Sequence, residues 1–356
     1  MGQAPGSRWL KGYDQAGLTL ATAVSHSSLQ IFHGAKKEGF RTLAIGAGER
    51  DLRYYDAFPQ AKPDRILRLK AYPDLLRMTD ELRSESTVLV PHGSLVEYLG
   101  ADNYARIELP LYGNRQVLGW ESDREKQREW LEAAGIDMPR KIADPRKIKE
   151  PVIVKYHGAK GGRGFFICNS YEEFQRHVKP GEAYAIQEFV LGTRYYLHYF
   201  WSPLSKDGYE AAGGSLQLLS IDRRDESNID EANRLGSIKD LEEMGIKPSF
   251  VVTGNIPIVI RESLLPEVFR MGEAVVAEAQ RRFGGMWGPF CLEAVVTPDL
   301  KFKVFEISAR IVAGTNPFIA GSPYSEMVAP GLSTGRRIAQ ELKAAAKSGR
   351  LGEILT

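Results

Sequence analysis

The chain has 356 residues, 43% of them apolar, enough for two or three domains with a sizeable core. Its net charge of +2 comes without a charge block, and no apolar run reaches about 18 residues, so neither a nucleic-acid nor a membrane partner is expected. Its cysteines, Cys168 and Cys291, each sit in a strand-like apolar run, neither a disulfide framework nor a zinc set; with no signal peptide ahead of the first strand, a reducing, cytoplasmic setting is expected.

Residues 1–17 are Gly-rich and polar and predict a loosely held segment. A βαβ pattern follows: strand Leu20 to Val24, helix Ser27 to Glu38, strand Thr42 to Ile45. The helix should bury Leu29, Ile31, Phe32 and Ala35 and stop at Gly39. Residues 65–69 are a candidate third strand. Thr87 to Val90 is a fourth, leading through Pro91-His92-Gly93-Ser94 into a helix over Leu95 to Leu99. Strands alternating with helices predict a parallel sheet with ligands at the carboxyl edge of its strands.

That edge carries Ser25-His26-Ser27 after the first strand and His92-Gly93-Ser94 after the fourth. Free N–H groups and the dipole at a helix start favour an anion. Serine there most often only caps the helix. Two such stretches on one edge, each with a histidine, point to a ligand that carries a phosphate.

Residues 101–122 read as a connection, and Asp123 to Ala134 as an amphipathic helix with Trp130 and Leu131 inward. Then comes P-V-I-V-K-Y-H-G-A-K-G-G-R-G-F-F-I at 151–167, which predicts strand, glycine loop, strand. Gly158, Gly161, Gly162 and Gly164 free the backbone to turn its N–H groups inward, and Lys155, Lys160 and Arg163 add positive charge, a combination suited to polyphosphate. A Walker A loop is excluded because Gly164 is followed by Phe165 and a strand. A dinucleotide fingerprint is excluded because Ile167 stands where its third glycine should be. A glycine flap between antiparallel strands remains.

Tyr171 to His177 reads as a helix and Tyr184 to Val190 as a strand. Residues 195–201, Y-Y-L-H-Y-F-W, are an aromatic strand suited to a core or to a subunit contact. Ser215 to Ile221 is a strand that should end at Asp222-Arg223-Arg224-Asp225-Glu226, and Arg261 to Phe283 is mostly helix. F-C-L-E-A-V-V-T and K-F-K-V-F-E-I-S then form two strands joined at Pro298-Asp299-Leu300. With Asp299 and Leu300 as the turn, Pro298 faces Lys301 and Glu293 faces Glu306, while Lys303 points to the other face. Directly opposed side chains are about 5 Å apart, where two carboxylates repel. A divalent cation would offset the repulsion, and Mg²⁺ favours one or two carboxylates plus phosphate oxygens.

With both motifs in view, the chain resembles the ATP-grasp ligases, whose glycine flap and acidic hairpin close on ATP. Within them it is similar to the archaeal formate-dependent ligases of AICAR (5-aminoimidazole-4-carboxamide ribonucleotide), the FAICAR synthetases of purine biosynthesis. The shared stretches run through nearly the whole chain: S-H-S-S-L-Q-I at 25–31, V-K-Y-H-G-A-K-G-G-R-G at 154–164, D-R-R-D-E-S-N-I-D at 222–230, G-N-I-P at 254–257, R-E-S-L-L-P at 261–266, G-P-F-C-L-E at 288–293 and F-E-I-S-A-R-I-V-A-G-T-N at 305–316.

The resemblance implies an α/β (α+β) architecture: a Rossmann-like parallel-sheet domain over 1–122, a small ATP-grasp lobe with the flap over 123–195, and a large lobe with the metal hairpin over 196–356. It implies ligation of formate to AICAR through formyl phosphate, with ATP and Mg²⁺ or Mn²⁺ as cofactors. His26, Ser94 and Asn255 would hold AICAR; Lys155, Gly161, Gly162, Glu188, Val190 and Glu226 would hold ATP; Glu293 and Glu306 would hold the metal. Lys155 and Arg310 would serve the chemistry, Arg310 by neutralising the acyl phosphate. Many ATP-grasp enzymes carry Glu-x-Asn-x-Arg on the last metal strand; here Ser308 replaces the asparagine, as in the FAICAR synthetase pattern. The resemblance also implies a homo-oligomer, with a hexamer as the candidate size and 195–201 as a candidate contact. The alternatives are a ligase joining another small acid to another phosphorylated amine, and a nucleotide-binding relative without turnover.

Overall fold

The computed structural model describes residues 6–25, 27–49, 52–156, 164–237, 243–245, 249, 251–312 and 319–356, without the side chains of Ala101 and Asn228. Four parallel strands, β1 (Thr19–Ala23), β2 (Arg41–Ala47), β3 (Arg65–Leu69) and β4 (Thr87–Leu89), form a sheet in the order β3-β2-β1-β4. Its central strands are buried runs such as Leu43-Ala44-Ile45, as a sheet covered on both faces requires. The helix Ser28–Lys37 covers it through Ile31, Phe32 and Ala35, and Gly39 ends it at φ +87°. Leu29 is only half-buried, whereas Gln30 is fully buried and accepts the Gly335 N–H at 3.0 Å. The reason is a second helix, Thr334–Lys347, packed on this one; a Cβ on Gly34 would lie 2.3 Å from the Arg336 nitrogen.

Residues 6–17 are anchored rather than loose: Gly6 N donates to Gly352 O at 2.9 Å and the Tyr13 hydroxyl to Thr87 O at 2.9 Å. Residues 101–122 are not a plain connection either. They hold two short helices, Ala101–Arg106 and Arg115–Glu121, too brief to show a helical period in sequence. Asn114 caps the second by accepting the Gln116 N–H at 3.0 Å.

The flap strands β5 (Val152–Tyr156) and β6 (Phe165–Cys168) pair antiparallel, and β7 (Tyr184–Glu188) flanks β5 on the other side. The loop residues 157–163, with Gly158, Lys160, Gly161, Gly162 and Arg163, lie outside the described residues.

The largest sheet runs β11-β10-β8-β12-β13, with β9 on β10. These are β8 (Thr193–Ser202), β9 (Tyr209–Ala211), β10 (Gly214–Glu226), β11 (Val252–Pro257), β12 (Gly288–Val296) and β13 (Phe302–Ser308). The aromatic strand β8 lies in the middle of the sheet, and Tyr196 to Trp201 are buried within this chain, so it is core and not a free subunit contact. β10 continues through Asp222 to Glu226 instead of stopping at Ile221, because β11 pairs with that stretch. The helix Leu265–Phe283 packs on the apolar face, where Tyr199 donates to Val268 O at 2.8 Å.

Candidate active site

The side-chain alternation of a strand sorts the large sheet into two faces. Leu197, Tyr199, Ile221, Leu292 and Ile307 enter the main core. The intervening positions carry polar groups: Arg194, Tyr196 and His198 on β8, Asp222, Arg224 and Glu226 on β10, and Glu293 on β12. On this face Arg224 Nη2 lies 3.5 Å from Glu293 Oε1, Arg194 Nη1 lies 3.3 Å from Glu226 Oε1, and the Arg224 guanidinium sits 3.4 Å from the centre of the Tyr196 ring.

The acidic hairpin pairs Glu293 with Glu306, by a different route from the expected one. Its connection is a three-residue loop: Val296 pairs with Phe302, Thr297 N donates to Lys301 O at 2.9 Å, and Leu300 takes a left-handed φ of +64°. That register alone would misplace the two glutamates by one residue. A bulge at Phe305 on β13 inserts the missing residue and restores the pair. The bulge also changes which residues share a face. Phe302 and Val304 are buried, Lys303 and Phe305 are half-buried, Glu306 is exposed, and Ile307 is buried again. Lys303 therefore lies on the open side with Glu306, not opposite it, and it pairs with Asp137 at 2.8 Å.

Burial first, and the Glu306 carboxylate second, raise the Glu293 carboxyl to about 7, against the opposing pull of Arg224, Arg310 and Arg194. Among the described residues no group of three or more His, Cys, Asp or Glu is placed to hold a metal ion. Two opposed carboxylates do fit Mg²⁺ or Mn²⁺, whose remaining positions phosphate oxygens and water can fill. A raised acid beside a second acid is a place where a cation would lower the energy.

Lys155 reaches the hairpin from β5. Its Nζ lies 6.0 Å from the centre of the Phe305 ring, and Arg194 lies 5.6 Å from the same ring. Burial, then Arg124, lowers the Lys155 ammonium, and Glu306 opposes that shift. Glu188 ends β7, and its carboxylate accepts the Arg140 N–H at 3.1 Å; Val190 follows, half-buried, past the strand end. Burial raises the Glu226 carboxyl, and Arg194 opposes it.

The parallel sheet meets β13 through Gly93, whose N–H donates to Ile311 O at 3.0 Å. Arg310 is held there by Glu121 at 2.5 Å, and a Cβ on Gly93 would approach its guanidinium to 3.4 Å. Arg310 Nε is buried with no hydrogen-bond partner among the described residues. Ser94 is buried at the start of the helix Gly93–Leu99 but does not cap it. His92 caps it: Nδ1 accepts the Leu95 N–H at 3.3 Å while Nε2 donates to Ala23 O at 2.9 Å, which joins the ends of β4 and β1. Ser27 stands at the N-cap position of the helix Ser28–Lys37 but makes no side-chain cap hydrogen bond, and its buried hydroxyl has no partner among the described residues. His26 lies outside the described residues. Asn255, on β11 opposite Arg224, donates to Asp222 Oδ2 at 2.6 Å.

Lys155, Glu226, Glu293 and Glu306 are thus gathered through Arg194, Arg224 and Phe305, and Ser94 is joined to Arg310 through Gly93. Sequence reasoning missed Arg194, Arg224, Asp222 and Glu121. The first three sit at alternate strand positions, a signal that was legible; Glu121 had none, because only tertiary folding brings it to Arg310.

Over 350 residues, covering 98% of this chain and 98% of the relative, the sequence is 57% identical to the 5-formaminoimidazole-4-carboxamide-1-(beta)-D-ribofuranosyl 5'-monophosphate synthetase of Methanococcoides burtonii. This chain belongs to that synthetase family. It is an ATP-grasp ligase of purine biosynthesis. The synthetase of Methanothrix thermoacetophila is 58% identical over 98% of this chain and 97% of its own length. Two family models match, one described as a protein of unknown function (DUF1246) over residues 20–142 and one as a domain of unknown function (DUF1297) over 176–356. The crystal structure of an IMP biosynthesis protein PurP from Thermococcus kodakaraensis superposes with TM-score 0.74 and 31% identity, covering 95% of this chain and all of that one. N5-carboxyaminoimidazole synthetase from Staphylococcus aureus, complexed with ADP, shares the fold at TM-score 0.60 and 14% identity, covering 89% and 77%. Like these synthetases the chain has the ATP-grasp fold with an N-terminal parallel sheet. Among the described residues no helix is long and apolar enough to cross a membrane.

Proposed function

We propose that this synthetase joins formate to the amine of AICAR in the cytoplasm, with ATP as phosphoryl donor and FAICAR, ADP and phosphate as products. The observation that most supports the reading is the buried Glu293 opposed by Glu306, with Lys155 and Arg194 against the bulged Phe305 beside them. In this reading a formate oxygen attacks the γ-phosphorus, ADP leaves, and formyl phosphate forms. The AICAR amine then attacks the formyl carbon, the bond from that carbon to the phosphate oxygen breaks, phosphate leaves, and the amine loses a proton. Such transfers need positioning and charge neutralisation more than a covalent partner.

Lys155, Gly161 and Gly162 of the flap, Glu188, Val190 and Glu226 hold ATP. Glu293 and Glu306 hold Mg²⁺ or Mn²⁺, which neutralises phosphate oxygens when bound. His26, Ser94 and Asn255 hold AICAR. Arg310 neutralises the acyl phosphate, and its Nε, with no hydrogen-bond partner among the described residues, is a donor available for that role. The three sheets are consistent with lobes divided near residues 123 and 196, and a homo-oligomer, with a hexamer as the candidate size, is checked by light scattering. The chemistry is tested by ADP release with each substrate omitted in turn, with the product identified by mass. Full turnover should require ATP, formate and AICAR together; equal ADP release without formate, or turnover only with another acid, overturns the reading.

A further inference from the structure

Asn255 is tied to a buried charge. Its Nδ2 donates to Asp222 Oδ2 at 2.6 Å, and Asp222 Oδ1 accepts from His198 Nε2. Asp222 is fully buried on the central part of the sheet, two residues before Arg224 and on the same face. A carboxylate can only accept. Asp222 therefore takes an N–H from each neighbour: it holds the proton of His198 on Nε2, and it turns the nitrogen of the Asn255 amide toward itself. The amide oxygen, an acceptor, is turned away from the carboxylate. Asn255 is itself only half-buried, so that oxygen can meet a ligand. An unrestrained asparagine could rotate its amide to suit either a donor or an acceptor; one held by a buried carboxylate cannot.

We infer that Asp222 is a positioning residue that makes Asn255 a fixed acceptor for the carboxamide N–H of AICAR, and thereby rejects a ligand with a carboxylate in its place. The inference rests on Asn255 binding AICAR, as proposed above. The carboxamide and the carboxylate have nearly the same shape, so only the direction of a hydrogen bond separates them. A fixed acceptor meets a carboxylate oxygen with no proton between them, and discrimination by a buried polar group of this kind is large.

The test is calorimetric titration of the full chain, without ATP, with AICAR and with 5-aminoimidazole-4-carboxylate ribonucleotide. Wild type should bind AICAR at least about tenfold more tightly. Asp222→Asn keeps the shape. Its oxygen can still accept from His198 while its nitrogen donates to Asn255, which reverses the Asn255 amide. AICAR affinity should fall, carboxylate affinity should rise, and the ratio should shift by at least about tenfold. An unchanged ratio, or an equal loss for both ligands, overturns the inference. If circular dichroism shows that Asp222→Asn does not fold, Asn255→Ala asks the same question by removing the acceptor; a preference for the carboxamide that survives there overturns the inference. Wild type that binds neither ligand takes the AICAR site down with it, an outcome distinct from a lost preference.

Discussion

The Arg310 guanidinium donates to one oxygen of the Glu121 carboxylate at 2.5 Å, and the other oxygen accepts the Ala309 N–H at 2.7 Å. One buried acid thus holds both the backbone and the side chain at the end of β13, where the parallel sheet abuts it through Gly93 and Ile311. Burial raises the Glu121 carboxyl, and Arg310 is the first group to oppose that shift. The cost of burying the charge and the gain from the pair therefore act in opposite directions.

Glu121→Gln leaves the nearly buried Arg310 charge without its partner, so it should lower stability by about 3 kcal/mol and lower kcat at least about tenfold as Arg310 loses its anchor. The glutamine still accepts the Ala309 N–H. A thermal melt beside steady-state kinetics checks this. A large fall in Tm with kcat unchanged would make Glu121 a structural residue only.

Glu306→Gln should abolish turnover in a protein that still folds. It removes the second-largest cause of the raised Glu293 carboxyl, so the metal-free variant should be no less stable than wild type. Activity at limiting Mg²⁺ is the measurement, and a near wild-type rate there would sink the metal assignment.

Glu293 predicts a pH dependence in metal-free protein. Its carboxyl is raised from 4.5 to about 7, so the folded state binds this proton more tightly than the unfolded chain does. The stability it contributes is fully present below about 4.5 and is lost as pH rises to about 7, in total about 3 kcal/mol. Urea unfolding of wild type and Glu293→Gln across that window isolates the effect. The stability of wild type relative to the variant should fall as pH rises; a flat difference would show that the repulsion is relieved in another way.

Lys155→Ala should lower kcat/KM for ATP by about 100-fold, as loss of a charged donor at a transferring phosphoryl group does, and leave AICAR binding nearly intact. Lys155 stands on β5 and Ser94 at the end of the parallel sheet, so the two sites belong to different sheets. Titration with each ligand separates the effects, and equal losses for ATP and AICAR would count against that layout.

Local pattern sufficed for the βαβ start, the flap strands and the capped helix at Arg124–Ala133, because each is built from residues close in sequence. The Glu293–Glu306 pairing was legible for the same reason, since two strands joined by a short loop have only a few registers. Even so, the turn was one residue longer than the pattern suggested, and only the Phe305 bulge brought the glutamates opposite each other. Helix starts misled: serine is the usual cap, but His92 and its contact with Ala23 took that place, which needs β1 and β4 to be neighbours. The aromatic run of β8 was equally consistent with core or contact until its place between β10 and β12 made it core. Glu121 beside Arg310, and Asp222 beside Asn255, join residues 189 and 33 positions apart. No periodicity spans such distances. The sequence by itself determined which chemical groups the synthetase carries and on which local elements. Tertiary structure decided which of them are buried together, because burial sets both the strength of a charge pair and the direction in which a side chain must point.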